Sequence, residues 1–252
     1  MQRDSGPGTW IRRYRPRPDA TVRLVCFPHA GGSAVVFHSW AAAFPQDVEV
    51  LAVQYPGRQD RIAEPRVEDL AELAKGVLPA LRDAVGHSPY ALFGHSMGAT
   101  LAFEVARRLE AEGEGPEILV ASARRAPSRH RDQLVHLLDD AQLAAHIAEL
   151  SDANSRLMED ARARAMIVPT VRSDLRAIET YRCPPGLALR APILTVIGDA
   201  DPWTTLDEAQ AWARHTRGGF ELRLLPGGHF YLDDHQDEVR ELVRARLGHR
   251  VA

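Results

Sequence analysis

Six short, nearly continuous apolar runs recur along the chain, at residues 22–27, 48–53, 90–93, 117–121, 192–197 and 220–225. Strands with one wet face alternate apolar and polar positions, whereas these runs scarcely do, so they predict strands buried on both faces. Between them, segments such as 69–81 and 97–112 place apolar residues at helical spacing, and the second is followed by Gly113 and Gly115, which suit a helix end. Strands and helices in alternation predict an α/β fold, with a mostly parallel central sheet covered by helices on both faces. The rhythm breaks once. From about residue 128 to 181 there is no strand-like run, only helical stretches at about 140–151, 155–167 and 168–181, which predict a helical insertion between two strands, placed to form a lid.

Composition narrows this picture without changing it. The 252 residues are 45% hydrophobic and 26% charged, which suits one domain spanning 1–252. A net charge of −3, with acidic and basic residues scattered rather than blocked, argues against a nucleic-acid surface or a polybasic membrane anchor. The first residues, MQRDSGPGTWIRRYRPRP, lack a signal-peptide core, and no apolar stretch is long enough to span a bilayer, so a cytoplasmic location is expected. A monomer is expected as well. Cys26 and Cys183 have neither metal-ligand nor redox spacing and read as structural thiols.

The candidate chemistry begins at FGHSMGA, residues 93–99. Ser96 between Gly94 and Gly98, after a strand-like run and before a helical one, has the G-x-S-x-G spacing of a nucleophile elbow. A serine hydroxyl is a weak nucleophile without a base and an acid that orients that base. On a parallel sheet these follow in the order Ser, acid, His, each after a later strand. GDADPW after the fifth run offers Asp199 and Asp201, and PGGHF after the sixth offers His229. Asp201 lies further from the strand end and is the better placed to reach an imidazole, and the other Asp is expected to serve the turn or cap the helix near Thr205. His95 adjoins Ser96 in sequence, but neighbours on such a turn point apart, so it is expected to pack or hydrogen-bond beneath the elbow. A tetrahedral oxyanion needs backbone N–H donors, for which Met97 and Ala30, the latter in the glycine-rich PHAGGSA after the first run, are the candidates.

Taken in order, FPHAGGSA, VQYPGRQDR, FGHSMGA, RRAPS, GDADP and GGHFYL over residues 10–247 make the chain resemble the type II thioesterases. These are the stand-alone editing enzymes of polyketide and nonribosomal peptide synthesis. The resemblance implies an α/β-hydrolase fold, a Ser96–His229–Asp201 triad and an oxyanion hole from the amides of Ala30 and Met97. It implies no metal and no cofactor. It also implies a substrate, an acyl group on the phosphopantetheine arm of a carrier protein that comes in trans, removed when stalled or aberrant. Ala123 stands where Gly is expected in many members. A general acyl-CoA thioesterase or carboxylesterase with the same triad is the alternative, and a non-enzymatic binding module is a further one. Arg58, Arg61, Arg124 and Arg125 are candidates for contacting an acidic carrier or the arm's phosphate, though structural ion pairs or solvated loop charges are the preferred reading.

Overall fold

The runs that are apolar throughout become strands that are buried throughout. In the computed structural model, which describes residues 10–247, β1 (Ile11–Arg12), β2 (Val22–Phe27), α1 (His38–Ala43), β3 (Val48–Val53), α2 (Leu70–Val85), β4 (Tyr90–His95) and α3 (Met97–Ala111) form the first half. β5 (Ile118–Ser122), α4 (Asp140–Ala148), α5 (Asp152–Glu159), α6 (Ala161–Thr180), β6 (Ile193–Gly198), α7 (Leu206–Gln210), β7 (Phe220–Leu225) and α8 (Gln236–Leu247) complete it. Residues 1–9 and 248–252, the ends of the expected 1–252 domain, lie outside the described residues. Among the described residues no helix is long and apolar enough to cross a membrane.

The sheet has the order β1-β3-β2-β4-β5-β6-β7. β1 is antiparallel to β3 and every other pairing is parallel. The chain therefore fills one side of β2 with β3 and then crosses to the other with β4. At such a reversal the loops leaving the two central strands diverge, and a crevice opens at their carboxyl ends.

Side chains alternate between two cores, because successive strand residues point to opposite faces. Val25 and Phe27 join the core beneath α2 and α3, while Leu24 and Cys26 join the one beneath α1 and α8. α2 presents Leu70, Leu73, Val77 and Leu81 on one stripe, all essentially inaccessible, and each such burial contributes roughly 1.5–3 kcal/mol. Cys26 is buried, Cys183 is half-buried, and both are free thiols.

Four details differ from the sequence expectation. β1 is an additional strand whose two residues are too short to show a period. β4 extends to His95, directly to the elbow. Between β5 and β6 the helices divide at Asp160 rather than near residue 168, because the Asp160 carboxylate caps the new helix by accepting from the amides of Arg162 and Ala163, both at 2.8 Å. The helix then runs through Pro169, which cannot donate to the carbonyl one turn back. The stretch expected to reach 151 ends at Ala148, where Glu149 closes the helix.

Candidate active site

β4 ends in a turn that only small neighbours permit. A Cβ on Gly94 would lie 2.3 Å from the Gly98 carbonyl oxygen, and one on Gly98 would lie 2.1 Å from that of Phe27. Backbone atoms cannot yield to such contacts, so glycine is required at both positions. Ser96, between them, is held at φ 54°, ψ −119°, a costly conformation for a side chain with a Cβ. Its amide donates to the Ser122 carbonyl at 2.8 Å, which fastens the turn to β5.

The loops after β6 and β7 bring Asp201 and His229 to this turn. His229 Nε2 lies 2.9 Å from Ser96 Oγ, and its Nδ1 lies 2.9 Å from Asp201 Oδ2. A carboxylate can only accept, so Nδ1 carries the proton and Nε2 is left as the acceptor for the serine hydroxyl. The Asp201 carboxylate is wholly buried, and its other oxygen accepts the Trp203 amide at 2.8 Å. Asp199 is placed differently. It accepts the Gly227 amide at 3.0 Å and so ties the two loops together. Neither Asp caps the following helix; Thr205 does, in a reciprocal arrangement with Glu208.

His95 points away from the serine hydroxyl and lies under the turn. Its Nδ1 is 2.8 Å from Ser122 Oγ, which is 2.6 Å from the Tyr231 hydroxyl. Burial, followed by the nearby His229 and His29, keeps His95 neutral by holding its pKa well below the ordinary range. His29, in the loop after β2, is likewise pushed down to about 4, by burial first and then by His229 and Arg58.

That loop carries the other expected donor. The amides of Ala30 and Met97 donate to no protein acceptor among the described residues, and both residues line the cavity above Ser96. Gly31, at φ 78°, is fixed from outside the sheet: its amide donates to Asp174 Oδ2 of α6 at 2.7 Å. Arg58 grips both oxygens of the same carboxylate, at 2.7 and 2.8 Å, and donates to the Gly32 carbonyl at 2.8 Å. Val171 of α6 sits so close that a Cβ on Gly31 would lie 2.5 Å from its Cγ2. Asp174 is missing from the sequence reading, although its position on the buried stripe of α6 between Val171 and Ile178 is a visible signal for a partnered charge.

The cavity has a volume of about 210 Å³. Ile147, Leu150, Ile167 and Ile178 from the helical segment between β5 and β6 give it an apolar wall. Trp203 stands at its edge, stacked on His146 at 5.0 Å and beside His229 at 4.8 Å, an aromatic contact the sequence reading also missed. Arg58 and Arg61 are structural ion pairs, Arg61 holding Glu64 at 2.9 and 2.6 Å. Arg125 donates to Gln133 at 2.7 Å. Arg124 lies in the cavity lining, its Nε 3.1 Å from Thr100 Oγ1, and burial, then Arg125, pushes its pKa down to about 9. Ala123, just before it, has φ 48°, which gives a physical reason for glycine at that position.

Residues 22–247 match the model of the thioesterase domain family. The chain is 48% identical over 233 residues to thioesterase PikA5 of Streptomyces venezuelae, covering 92% of this chain and 83% of that protein. It is 45% identical to the probable cadicidin biosynthesis thioesterase of Streptomyces griseus, over 97% of this chain and 67% of that protein. Among solved structures, the type II thioesterase BorB from the borrelidin biosynthetic cluster superposes with a TM-score of 0.88 at 50% identity, over 94% of this chain and 97% of that one.

Proposed function

The chain belongs to the thioesterase domain family, and on that footing we propose that it hydrolyses stalled or aberrant acyl groups from the phosphopantetheine thioester of carrier proteins in polyketide or nonribosomal peptide synthesis. The relative PikA5 is a thioesterase, the structural neighbours from the borrelidin cluster and the yersiniabactin NRPS/PKS pathway are type II thioesterases, and the enzyme is a hydrolase of thioesters. The carrier is a separate cytoplasmic protein and docks in trans.

The hydrogen-bonded line Ser96–His229–Asp201 carries this reading. Ser96 Oγ attacks the thioester carbonyl while His229 Nε2 takes its proton, and buried Asp201 stabilises the imidazolium and keeps the ring in register. The oxyanion forms against the amides of Ala30 and Met97, which are positioned before the charge appears. On collapse the C–S bond breaks, and His229 returns the proton to the departing pantetheine sulfur. Water, activated by the same imidazole, then hydrolyses the acyl-Ser96 ester and regenerates the hydroxyl. A thiolate leaves readily, so this set suffices for the bond in question. The helices between β5 and β6 act as a lid whose apolar wall holds the acyl chain. A volume of about 210 Å³ favours short acyl groups, since pockets for drug-sized ligands span roughly 300–1,000 Å³.

The test is mass spectrometry of an acylated carrier protein incubated with wild type and with Ser96→Ala, alongside the matching acyl-CoAs and simple esters. Ser96-dependent unloading that favours the carrier supports the proposal. A carrier that stays loaded while acyl-CoA or esters are cleaved sinks the editing role and leaves a general esterase.

A further inference from the structure

Trp203 is tied to three parts of the site at once. Its amide donates to Asp201 Oδ1 at 2.8 Å, and its ring lies 4.8 Å from the His229 ring at an angle of 52°. On the same indole stacks His146 of α4, at 5.0 Å and within 5° of parallel, so the acid, the base and a helix of the lid meet in one residue. The backbone that carries the indole is fixed, since Asp201 holds its amide and Thr205, shortly after it, caps α7. A fixed backbone still leaves the indole a choice of rotamers, and the His146 stack selects among them.

The imidazole needs such a contact. Its two hydrogen bonds, 2.9 Å to Ser96 Oγ and 2.9 Å to Asp201 Oδ2, leave the ring free to roll about the line that joins them. Packing against the ring resists that motion. His95, buried beneath the elbow, meets the ring at 5.6 Å from outside the cavity lining. Phe230, its chain neighbour, stands at 88° to it but rides on the same loop. Trp203 lines the cavity together with His229, and so supplies the contact through which another element reaches the ring from the cavity side. The base handles protons from Ser96, to the departing sulfur and from water, and a small roll is felt at each transfer.

We propose that Trp203 is a positioning residue that couples the lid to the catalytic base: α4, through His146, fixes the indole, and the indole fixes the plane of the His229 imidazole. The base is then fully aligned only while the lid is seated over the chamber. The inference rests on the Ser96–His229–Asp201 reading and adds a condition to it, that water meets a competent base only in the closed site. His146 acts by stacking, so an uncharged aromatic ring can take its place.

The test is steady-state hydrolysis of two substrates that share an acyl group and differ in the leaving group, butanoyl-pantetheine and 4-nitrophenyl butanoate. Each kcat is divided by the fraction of Ser96 that an alkyl fluorophosphonate labels at completion, which removes unfolded enzyme. Trp203→Leu is expected to lower kcat at least ten-fold on both substrates while KM stays within three-fold, and Trp203→Phe to recover most of that loss. His146→Ala is expected to lower kcat at least three-fold and His146→Phe to restore it. In the Trp203→Leu background His146→Ala is expected to change kcat by less than two-fold, because the path is already cut. Four results overturn the proposal: a wild-type kcat for Trp203→Leu, a rise in KM alone, losses that multiply in the double variant, or a loss confined to butanoyl-pantetheine, which puts the indole on the arm. If Trp203→Leu cannot be obtained folded, the His146→Ala loss and its rescue by His146→Phe decide. Ser96-dependent turnover without the coupling leaves the thioesterase reading standing, whereas equal turnover by wild type and Ser96→Ala ends both.

Discussion

The Asp174 carboxylate, on a helix outside the sheet, accepts the Gly31 amide at 2.7 Å and so fixes the loop that holds the Ala30 donor. Arg58 neutralises that carboxylate and braces the next carbonyl. Asp174 is thus a positioning residue. Asp174→Ala leaves Arg58 buried and unpaired and is expected to cost about 3–5 kcal/mol of stability, read by urea unfolding. Asp174→Asn keeps an acceptor for Gly31 but loses the charge that holds Arg58. It is expected to lower kcat at least ten-fold while KM stays near wild type, because the oxyanion is stabilised in the transition state only. A wild-type kcat for Asp174→Asn refutes the coupling.

The two aspartates of GDADPW separate by the same kind of measurement. Asp201→Asn is expected to reduce kcat by roughly 10³–10⁴-fold, since the amide favours the wrong tautomer of His229. Asp199→Asn weakens one loop tether and is expected to cost less than ten-fold. Comparable losses in the two variants would remove Asp201 from its assigned role.

The elbow tolerates no added methyl group. Gly98→Ala would drive a Cβ to 2.1 Å from the Phe27 carbonyl oxygen, on a strand pinned from both sides. The variant is expected to be insoluble or to unfold at least 10 °C below wild type in a calorimetric scan, given that ~1 kcal/mol shifts the midpoint by roughly 2–4 °C in a domain of this size. A wild-type melting temperature together with wild-type activity refutes the close approach.

Acid stability tests the two depressed imidazoles. His29 is depressed to about 4 and His95 also lies well below 6.5, both chiefly through burial. Between pH 6.5 and about 4 the unfolded chain therefore binds protons at these sites that the folded chain does not. Their contribution to stability is intact above that window and declines as pH falls through it, by at most roughly 1.4 kcal/mol per pH unit for each imidazole. The urea midpoint is expected to drop from pH 7.5 to 5, and less steeply in His95→Asn. Identical slopes for the two proteins would show that His95 titrates normally.

What the sequence made legible was local. A strand buried on both faces is written in consecutive residues, and so is a turn that must contain glycines, which is why the central strands and the surroundings of Ser96 and His229 could be read directly. Asp201 was chosen over Asp199 by reach, and the structure puts only Asp201 against the imidazole. Asp174 could not be read in this way, because its role depends on which helix face settles on which loop, a relation across the 143 residues between Gly31 and Asp174. The boundary expected between 167 and 168 failed in the opposite sense. The helix runs on there through Pro169, while the true break at Asp160 rests on a single capping side chain.

Pro169 interrupts the hydrogen bonding of α6 without separating its two halves. Val168 before it and Val171 beyond it both pack with Leu143, Ile147 and Met158 of the neighbouring helices in one small cluster, and Val171 and Asp174 also hold the oxyanion loop. The chamber's outer wall and the corner that stabilises charge therefore turn on one shared pivot, so the seating of the acyl chain and the placing of the Ala30 amide are geared together.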